Sequence, residues 1–204
     1  MIKRSSKKHI DYLLEQNSNW KVLDIGCGYT AHNKATVICD IKDLSNFYKS
    51  QKFVKLENKT LPFKDKEFDF VIASHVIEHV EDVEYFISEL QRISNKGYIE
   101  LPSILEDNLV FENKNDHRWH TEFDDVNNHL IISKRVQYLE PVLTVSVAKK
   151  LSKYFRQSLI LELLWENSIE FQFKKEINTN FEKISRLTLL RKFISKLLRN
   201  IIRN

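Results

Sequence analysis

Glycine is scarce in this chain. Only three of its 204 residues are glycine, and two of them, Gly26 and Gly28, flank a single cysteine. Glycine is needed where the backbone takes a positive φ or where a ligand approaches the backbone closely. Two glycines directly after the strand-like segment 21–25 therefore predict a tight turn at the end of a strand, and we expect a nucleotide-type binding loop there.

Cysteine is also rare, and long apolar runs are missing. The two cysteines, Cys27 and Cys39, are too few for a disulfide framework, which indicates a reducing compartment and makes the cytoplasm the predicted location. No stretch approaches about 18 uninterrupted apolar residues, and no apolar run follows the basic first residues. Neither a membrane span nor a signal peptide is expected.

Acidic residues are absent after Glu182, although the net charge of the whole chain is only +4. The segment beyond it holds seven basic residues: Lys183, Arg186, Arg191, Lys192, Lys196, Arg199 and Arg203. The preceding 182 residues carry 25 basic and 28 acidic side chains and are therefore slightly acidic. Residues 1–182 therefore lack the excess of positive charge that is typical of nucleic-acid-binding proteins, so no nucleic-acid partner is expected.

The first half of the chain alternates strand-like and helix-like patterns. The predicted strands are 21–25, 36–41, 51–57, 68–74 and 98–101, and the predicted helices are 9–17 and 83–93. Such alternation indicates a parallel sheet with helices on its faces. In the second half we expect a hairpin of 119–123 and 130–133, a helix over 145–165, a strand at 168–173 and a helix over 182–203.

Four phrases in this order resemble a known family. They are VLDIGCG at 22–28, Asp40 at a strand end, LPFKDKEFDFVIASHVIEHVED at 61–82 and SNKGYIELPS at 94–103. Together they resemble class I S-adenosylmethionine-dependent methyltransferases of the methyltransferase domain 11 type. This resemblance covers about half of the chain. It implies an α/β fold: a Rossmann-like, doubly wound, mostly parallel sheet, with an antiparallel hairpin at one edge and a C-terminal helical extension.

Two domains follow from this assignment: a methyltransferase domain at 1–182 and a basic helical tail at 183–204. About seven residues separate Gly28 from the next strand, too few for an ordinary crossover helix. We therefore expect a short turn or a loop there. This truncation, with GYIELPS and an HRW phrase, resembles a subgroup found in bacterial surface-polysaccharide gene neighbourhoods.

The resemblance implies S-adenosylmethionine as the cofactor and assigns residues to it. Gly26 and Gly28 would approach its methionine part, and Asp24 would hold its ammonium group or an intervening water. Asp40 would accept hydrogen bonds from the ribose hydroxyls. The remaining cofactor-binding candidates are Ile41 beside Asp40, Glu57 and Asn58 near the adenine, and Ser74 and His75 on the sulfonium side.

The same residues also match two other motifs. Gly26, Gly28 and Ala31 fit the dinucleotide fingerprint G-x-G-x-x-A, but the short crossover and the absence of a second dinucleotide-binding half argue against it. His75, Glu78 and His79 spell H-x-x-E-H, an inverted zinc-protease motif. There the two histidines must share a helix face, whereas His75 ends an apolar strand, so no metal is expected.

Methyl transfer to a hydroxyl requires removal of its proton, and histidine suits that task near neutral pH. The loop after the fifth predicted strand contains two histidines, and His117 is our first candidate for the general base. His120 is the second candidate and His79 the third. In the same loop Trp119 could stack on a sugar face and Arg118 could bind substrate. The alternative is that these residues serve only in packing.

The predicted function is O-methylation of a sugar of a surface polysaccharide or of its precursor, at the inner face of the membrane. The alternatives are a methyltransferase for a quinone or another lipid-soluble molecule, and a cofactor-binding accessory subunit without turnover. In the tail, apolar residues recur at helical spacing: Ile184, Leu187, Leu190, Ile194, Leu197, Leu198 and Ile201. Such a helix can lie on an anionic membrane. Alternatively it docks on the body or on a partner chain, including a second copy.

Overall fold

The computed structural model describes residues 1–175 and 183–203. Its strands in these ranges are β1 (Ile2–Arg4), β2 (Val22–Ile25), β3 (Val37–Asp40), β4 (Lys52–Lys55), β5 (Phe70–Ser74), β6 (Lys96–Pro102), β7 (Trp119–Asp124), β8 (His129–Lys134), β9 (Ile160–Glu166) and β10 (Phe171–Phe173). Its helices are α1 (Lys7–Gln16), α2 (Val83–Ile93), α3 (Ile104–Leu109), α4 (Asn113–Asp116), α5 (Val145–Leu159) and α6 (Arg186–Arg203). A short 3₁₀ turn at Ile77–His79 follows β5.

Seven strands form the main sheet, in the order β1-β9-β6-β5-β2-β3-β4. The strands β6, β5, β2, β3 and β4 run parallel, β9 runs antiparallel to β6, and β1 runs antiparallel to β9. The predicted Rossmann-like, mostly parallel α/β fold is thus confirmed.

Helices cover both faces of this sheet. On one face, α2 buries Ile87 and Leu90 in the largest apolar cluster, which includes Leu23 of β2. On the other face, α1 buries Ile10 and Leu14 in a second cluster with Phe70 of β5. Both helices begin at a side-chain cap: the Asp82 carboxylate accepts the N–H of Tyr85, and the Ser6 hydroxyl accepts the N–H of His9.

The helix predicted over 145–165 was wrong in its last part. Helix α5 ends at Leu159, and the run ILELLWE continues directly as strand β9. This strand is buried on both faces between β6 and β1, so its apolar residues do not alternate with polar ones. A short continuous apolar run cannot be distinguished by its periodicity from the end of a buried helix.

The predicted hairpin forms between β7 and β8, with Trp119 opposite Lys134. It lies in a second sheet of order β10-β8-β7, where β10 pairs parallel with β8. Leu130 and Ile132 of β8 reach into the core of the main sheet. Burial of these side chains explains why the hairpin packs onto the sheet instead of extending its edge.

The connection from β2 to β3 contains turns and no helix, as expected from its length. Helix α6 begins at Arg186, whereas residues 176–182 lie outside the described residues, including the predicted domain boundary at 182. Among the helices that the structure describes, none is both long and apolar enough to cross a membrane.

Candidate active site

The glycine turn after β2 takes the conformation that its sequence predicts. Gly26 and Gly28 have φ values of +68° and +49°. A Cβ atom at Gly26 would lie 2.5 Å from Cγ2 of Val76, so a larger residue is excluded there. A Cβ atom at Gly28 would meet nothing within 4 Å. The backbone of Gly28 therefore borders open space that a ligand can enter.

Two buried carboxylates lie at the carboxyl ends of β2 and β3. Asp40 accepts the N–H of Gly28 at 2.9 Å through Oδ2 and the N–H of Lys42 at 2.8 Å through Oδ1. Each oxygen of a carboxylate can accept a further hydrogen bond. Asp40 thus fixes the glycine loop and can still accept two ribose hydroxyls.

Asp24 accepts one hydrogen bond, from the N–H of His32 at 2.7 Å. Burial raises the pKa of Asp24 to about 6, because the charged form loses solvation that this single bond and nearby positive charge only partly replace. A cationic ligand group beside Asp24 would supply the missing compensation. The expected contact with the cofactor's ammonium group therefore fits the electrostatics of the site.

A cleft of about 440 Å³ opens beside Asp24, on the face of the sheet that α1 covers. In an ordinary parallel α/β sheet, a crossover helix would join β2 to β3. Because such crossovers are right-handed, that helix would lie on this same face of the sheet, opposite the face that α2 covers. The cleft also reaches Ser74, and its polar lining includes Lys7, Asp11, Glu15, Asn33, Lys34 and Glu100. Because the β2–β3 connection contains no helix, the space that a crossover helix would fill stays open.

The adenine-side candidates lie on the surface next to β3 and β4. Ile41 follows Asp40 and is 74% exposed, which leaves an apolar side chain free for a flat ring. Glu57 is exposed and pairs with Lys55 at 3.1 Å, and Asn58 beside it is exposed as well. The structure leaves all three side chains accessible.

His75 directly follows β5, has a φ of +55° and lies between two carboxylates. Its Nδ1 is 3.2 Å from Glu78 and its Nε2 is 3.4 Å from Glu100. Burial lowers the pKa of His75, but the hydrogen bonds to Glu100 and Glu78 outweigh it and raise the pKa to about 10. His75 is therefore a cation at neutral pH and cannot act as a general base.

Sequence analysis missed the network that continues from Glu100. Arg156 contacts Glu100 at 2.7 Å and Glu162 at 3.0 Å, and the Tyr98 hydroxyl contacts both carboxylates. Burial raises the pKa of Glu100, but the hydrogen bond from His75 and the charge of Arg156 lower it to about 2. The signal in the sequence was a glutamate inside the apolar strand YIEL, because a buried acid requires partners.

A second network joins two of the predicted catalytic histidines through Asp107, which sequence analysis also missed. Asp107 contacts Nδ1 of His117 through one oxygen, and Nε2 of His120 at 2.8 Å and Nε of Arg135 at 2.7 Å through the other. Burial raises the pKa of Asp107, but the hydrogen bonds to His117 and His120 lower it to about 2. The side chains of both histidines are nearly buried, 2% exposed for His120 and 6% for His117, and the ring centre of His117 lies 4.5 Å from that of the exposed His79.

The other acceptor-side candidates take separate positions. His79 is exposed, and its Nδ1 donates to the carbonyl of Asp116 at 3.0 Å. The Trp119 indole N–H donates to the carbonyl of Val80 at 2.7 Å, and its ring packs on Phe173. Arg118 is exposed, and its backbone N–H donates to the backbone carbonyl of Glu78. The structure thus brings His79 and His117 together, whereas Trp119 is part of the second sheet and packs on Phe173 of the same sheet.

Comparison with known proteins relates this site to a family. Residues 23–99 match the family model described as "Methyltransferase domain". The uncharacterized protein MJ0638 of Methanocaldococcus jannaschii is 30% identical over 199 residues, which cover 78% of this chain and 86% of the relative.

Solved structures are more distant. A SAM-dependent methyltransferase from Archaeoglobus fulgidus is 14% identical with a TM-score of 0.44, over 79% of this chain and 95% of the other. The PH0226 protein from Pyrococcus horikoshii is 16% identical with a TM-score of 0.43, over 79% of this chain and 92% of the other. From the domain match and the relative that is 30% identical, the chain belongs to the class I S-adenosylmethionine-dependent methyltransferases, with S-adenosylmethionine as its cofactor.

Proposed function

We propose that this methyltransferase is an O-methyltransferase that acts on a sugar of a surface polysaccharide or of its precursor. The observation that carries this proposal is the polar lining of the cleft beside Asp24. Lys7, Asp11, Glu15, Asn33 and Lys34 surround it with charged and hydrogen-bonding groups. Such a lining suits an acceptor with many hydroxyl groups, since each hydroxyl needs a partner when it leaves water. A quinone ring offers few such groups.

The cofactor supplies a methyl group that its sulfonium charge has already activated. The protein's own residues bind and orient the reactants, which can contribute several kcal/mol to lowering the barrier. Asp40 and the loop that it fixes would hold the ribose, and Asp24 would hold the ammonium group.

For proton removal from the acceptor, we propose His117 in preference to His120. Asp107 holds Nδ1 of His117, so the lone pair of Nε2 remains available to accept a proton. His120 directs its Nε2 to Asp107, and its side chain is 2% exposed against 6% for His117. His117 therefore combines a fixed tautomer with a free acceptor nitrogen, the arrangement that a general base requires.

We further propose that α6 binds an anionic membrane surface. Its apolar residues Leu187, Leu190 and Phe193 are 54% to 65% exposed, so the described body does not cover them. The basic residues of the same segment complement anionic lipid headgroups. A polar cleft and a membrane-binding helix together suit a sugar carried on a lipid. The exposed apolar face also favours the second candidate, methylation of a quinone or another lipid-soluble molecule.

The proposal is tested with purified protein and S-adenosylmethionine labelled in its methyl group. The protein is incubated separately with nucleotide-linked sugars, lipid-linked sugars, extracted polysaccharide and a neutral lipid extract. We expect alkali-stable label, as in a methyl ether, in a carbohydrate fraction, and much less of it with Asp40→Ala, because this variant should bind the cofactor more weakly. Label confined to the neutral lipid extract would overturn the sugar proposal in favour of the second candidate. Label lost in alkali would indicate an ester and contradict O-methylation of a hydroxyl.

A further inference from the structure

Three potential metal ligands lie together beyond the end of β5. Glu78 and His79 belong to the 3₁₀ turn, and His117 follows α4. One ligand atom from each of the three residues can be chosen such that all three atoms lie within 4.8 Å of one another. Ligands of a tetrahedral zinc ion at about 2.1 Å from the metal are roughly 3.4 Å apart. Small side-chain rotations would therefore bring these atoms to coordination distance.

Both histidines have their remaining nitrogen fixed by an oxygen. The Asp116 carbonyl can only accept a hydrogen bond, so Nδ1 of His79 carries the proton, and its Nε2 is left with a lone pair. Asp107 fixes His117 in the same way through its carboxylate. Histidines that bind metals usually donate their other N–H to a carboxylate or a backbone carbonyl. His117 donates to a carboxylate, that of Asp107, and His79 donates to a backbone carbonyl, that of Asp116.

Glu78 supplies an independent indication of a cation-binding site. Its side chain is completely buried, and Oε1 contacts Nδ1 of His75. Its Oε2 is also buried, and no group in the described parts of the chain forms a hydrogen bond with it. A carboxylate oxygen that is buried without a partner is costly. A metal ion between Glu78 and the two histidines would provide that partner.

We propose that Glu78, His79 and His117 bind one divalent transition-metal ion. Two imidazoles and one carboxylate suit zinc, manganese, iron or cobalt better than magnesium or calcium, which prefer oxygen ligands. Three protein ligands leave further positions open to a small molecule. His75 is excluded from this set because both of its ring nitrogens contact carboxylates. The site thus differs from the H-x-x-E-H motif, and the proposal departs from the sequence-based expectation that no metal binds.

Metal binding itself does not depend on the identity of the acceptor. Only its use in catalysis rests on the proposed function. A divalent metal lowers the pKa of a hydroxyl group that it binds. His117 would then be a ligand and not the general base, since Nε2 has only one lone pair. The cluster would still act on the acceptor hydroxyl, by stabilising its deprotonated form.

The test uses the full chain after treatment with a chelator and dialysis. Zn²⁺ and Co²⁺ are added separately, bound metal is measured by mass spectrometry, and the visible absorption of Co²⁺ reports its coordination. We expect about one equivalent of metal and at least tenfold weaker binding in His79→Ala and His117→Ala, because each variant removes one of three ligands. His9→Ala, which removes an exposed histidine of α1, is the matched control and should bind as the unchanged protein does.

Glu78→Gln should weaken binding as well, but this buried variant can fail to fold. His79→Ala then decides, because the His79 ring is exposed. No bound metal, or binding that His79→Ala and His117→Ala leave unchanged, would overturn the proposal and leave His117 as the general base. The methylation assay with separated acceptors is an independent measurement, so failure of the sugar proposal is distinguished from failure of the metal site.

Discussion

Asp24 offers a sharp test of the cofactor site because its burial makes cofactor binding depend on pH. The cofactor's ammonium group should bind the ionised carboxylate. The pKa of Asp24 in the free protein is about 6, so about one-tenth of the protein has an ionised Asp24 at pH 5. We therefore expect affinity for S-adenosylhomocysteine to fall about tenfold between pH 7 and pH 5. Near pH 6, binding should release a proton from Asp24.

The same shift predicts a cost in stability. The folded state binds the Asp24 proton more tightly than the unfolded state, whose ordinary pKa is 3.8. The free energy of unfolding should therefore decrease as pH rises from about 4 to about 6, and stay lower above that range. A difference of about two pKa units corresponds to about 3 kcal/mol. Asp24→Asn should remove this cost, so it should be more stable at pH 7.5 while binding the cofactor more weakly.

Calorimetry with S-adenosylhomocysteine at pH 5, 6 and 7, in buffers with different ionisation heats, measures both affinity and proton release. Denaturation at pH 4.5 and 7.5 measures stability. Glu84→Gln, an exposed acid of α2, serves as the matched control. Affinity of the unchanged protein that is constant from pH 5 to 7, or a pH dependence that persists in Asp24→Asn, would refute the role of Asp24.

Three further predictions concern other parts of the site. Asp40→Ala should weaken cofactor affinity at least tenfold, because charge-assisted hydrogen bonds contribute roughly 1.5 to 3 kcal/mol each; unchanged affinity in calorimetry would make Asp40 only a support for the Gly28 loop. His117→Ala should bind the cofactor normally and lose on the order of 100-fold in turnover; loss of cofactor binding or of the circular dichroism spectrum would indicate a packing role. A chain that ends at Glu182 should stay folded and no longer sediment with anionic vesicles, whereas the full chain should do so most strongly at low salt. Equal sedimentation of both chains would contradict membrane binding, and an insoluble shorter chain would place the apolar face of α6 in an interface.

The sequence by itself determined the cofactor half of the protein. The segments from residue 21 to residue 103 are short, regular and punctuated by turns, so their strands, the helix-free connection after Gly28 and the position of Asp40 could be predicted from local pattern. Strand β1 was not predicted. Two positive φ values in one turn are a local requirement that glycine meets. The parallel order of these strands followed from their alternation with helices and from the family resemblance.

Only the tertiary structure decided the rest. Strand β9 is a strand because β6 and β1 hydrogen-bond to it from both sides, and both partners are more than 50 residues away. In the same way, Asp107 contacts one ring nitrogen of His117 and one of His120 and so determines which nitrogen of each stays free. Glu78 of the 3₁₀ turn lies close to His117, which follows α4. These contacts depend on how distant segments pack, whereas periodicity records only which face of each segment is apolar. The chemistry of the acceptor side therefore became visible only in the folded chain.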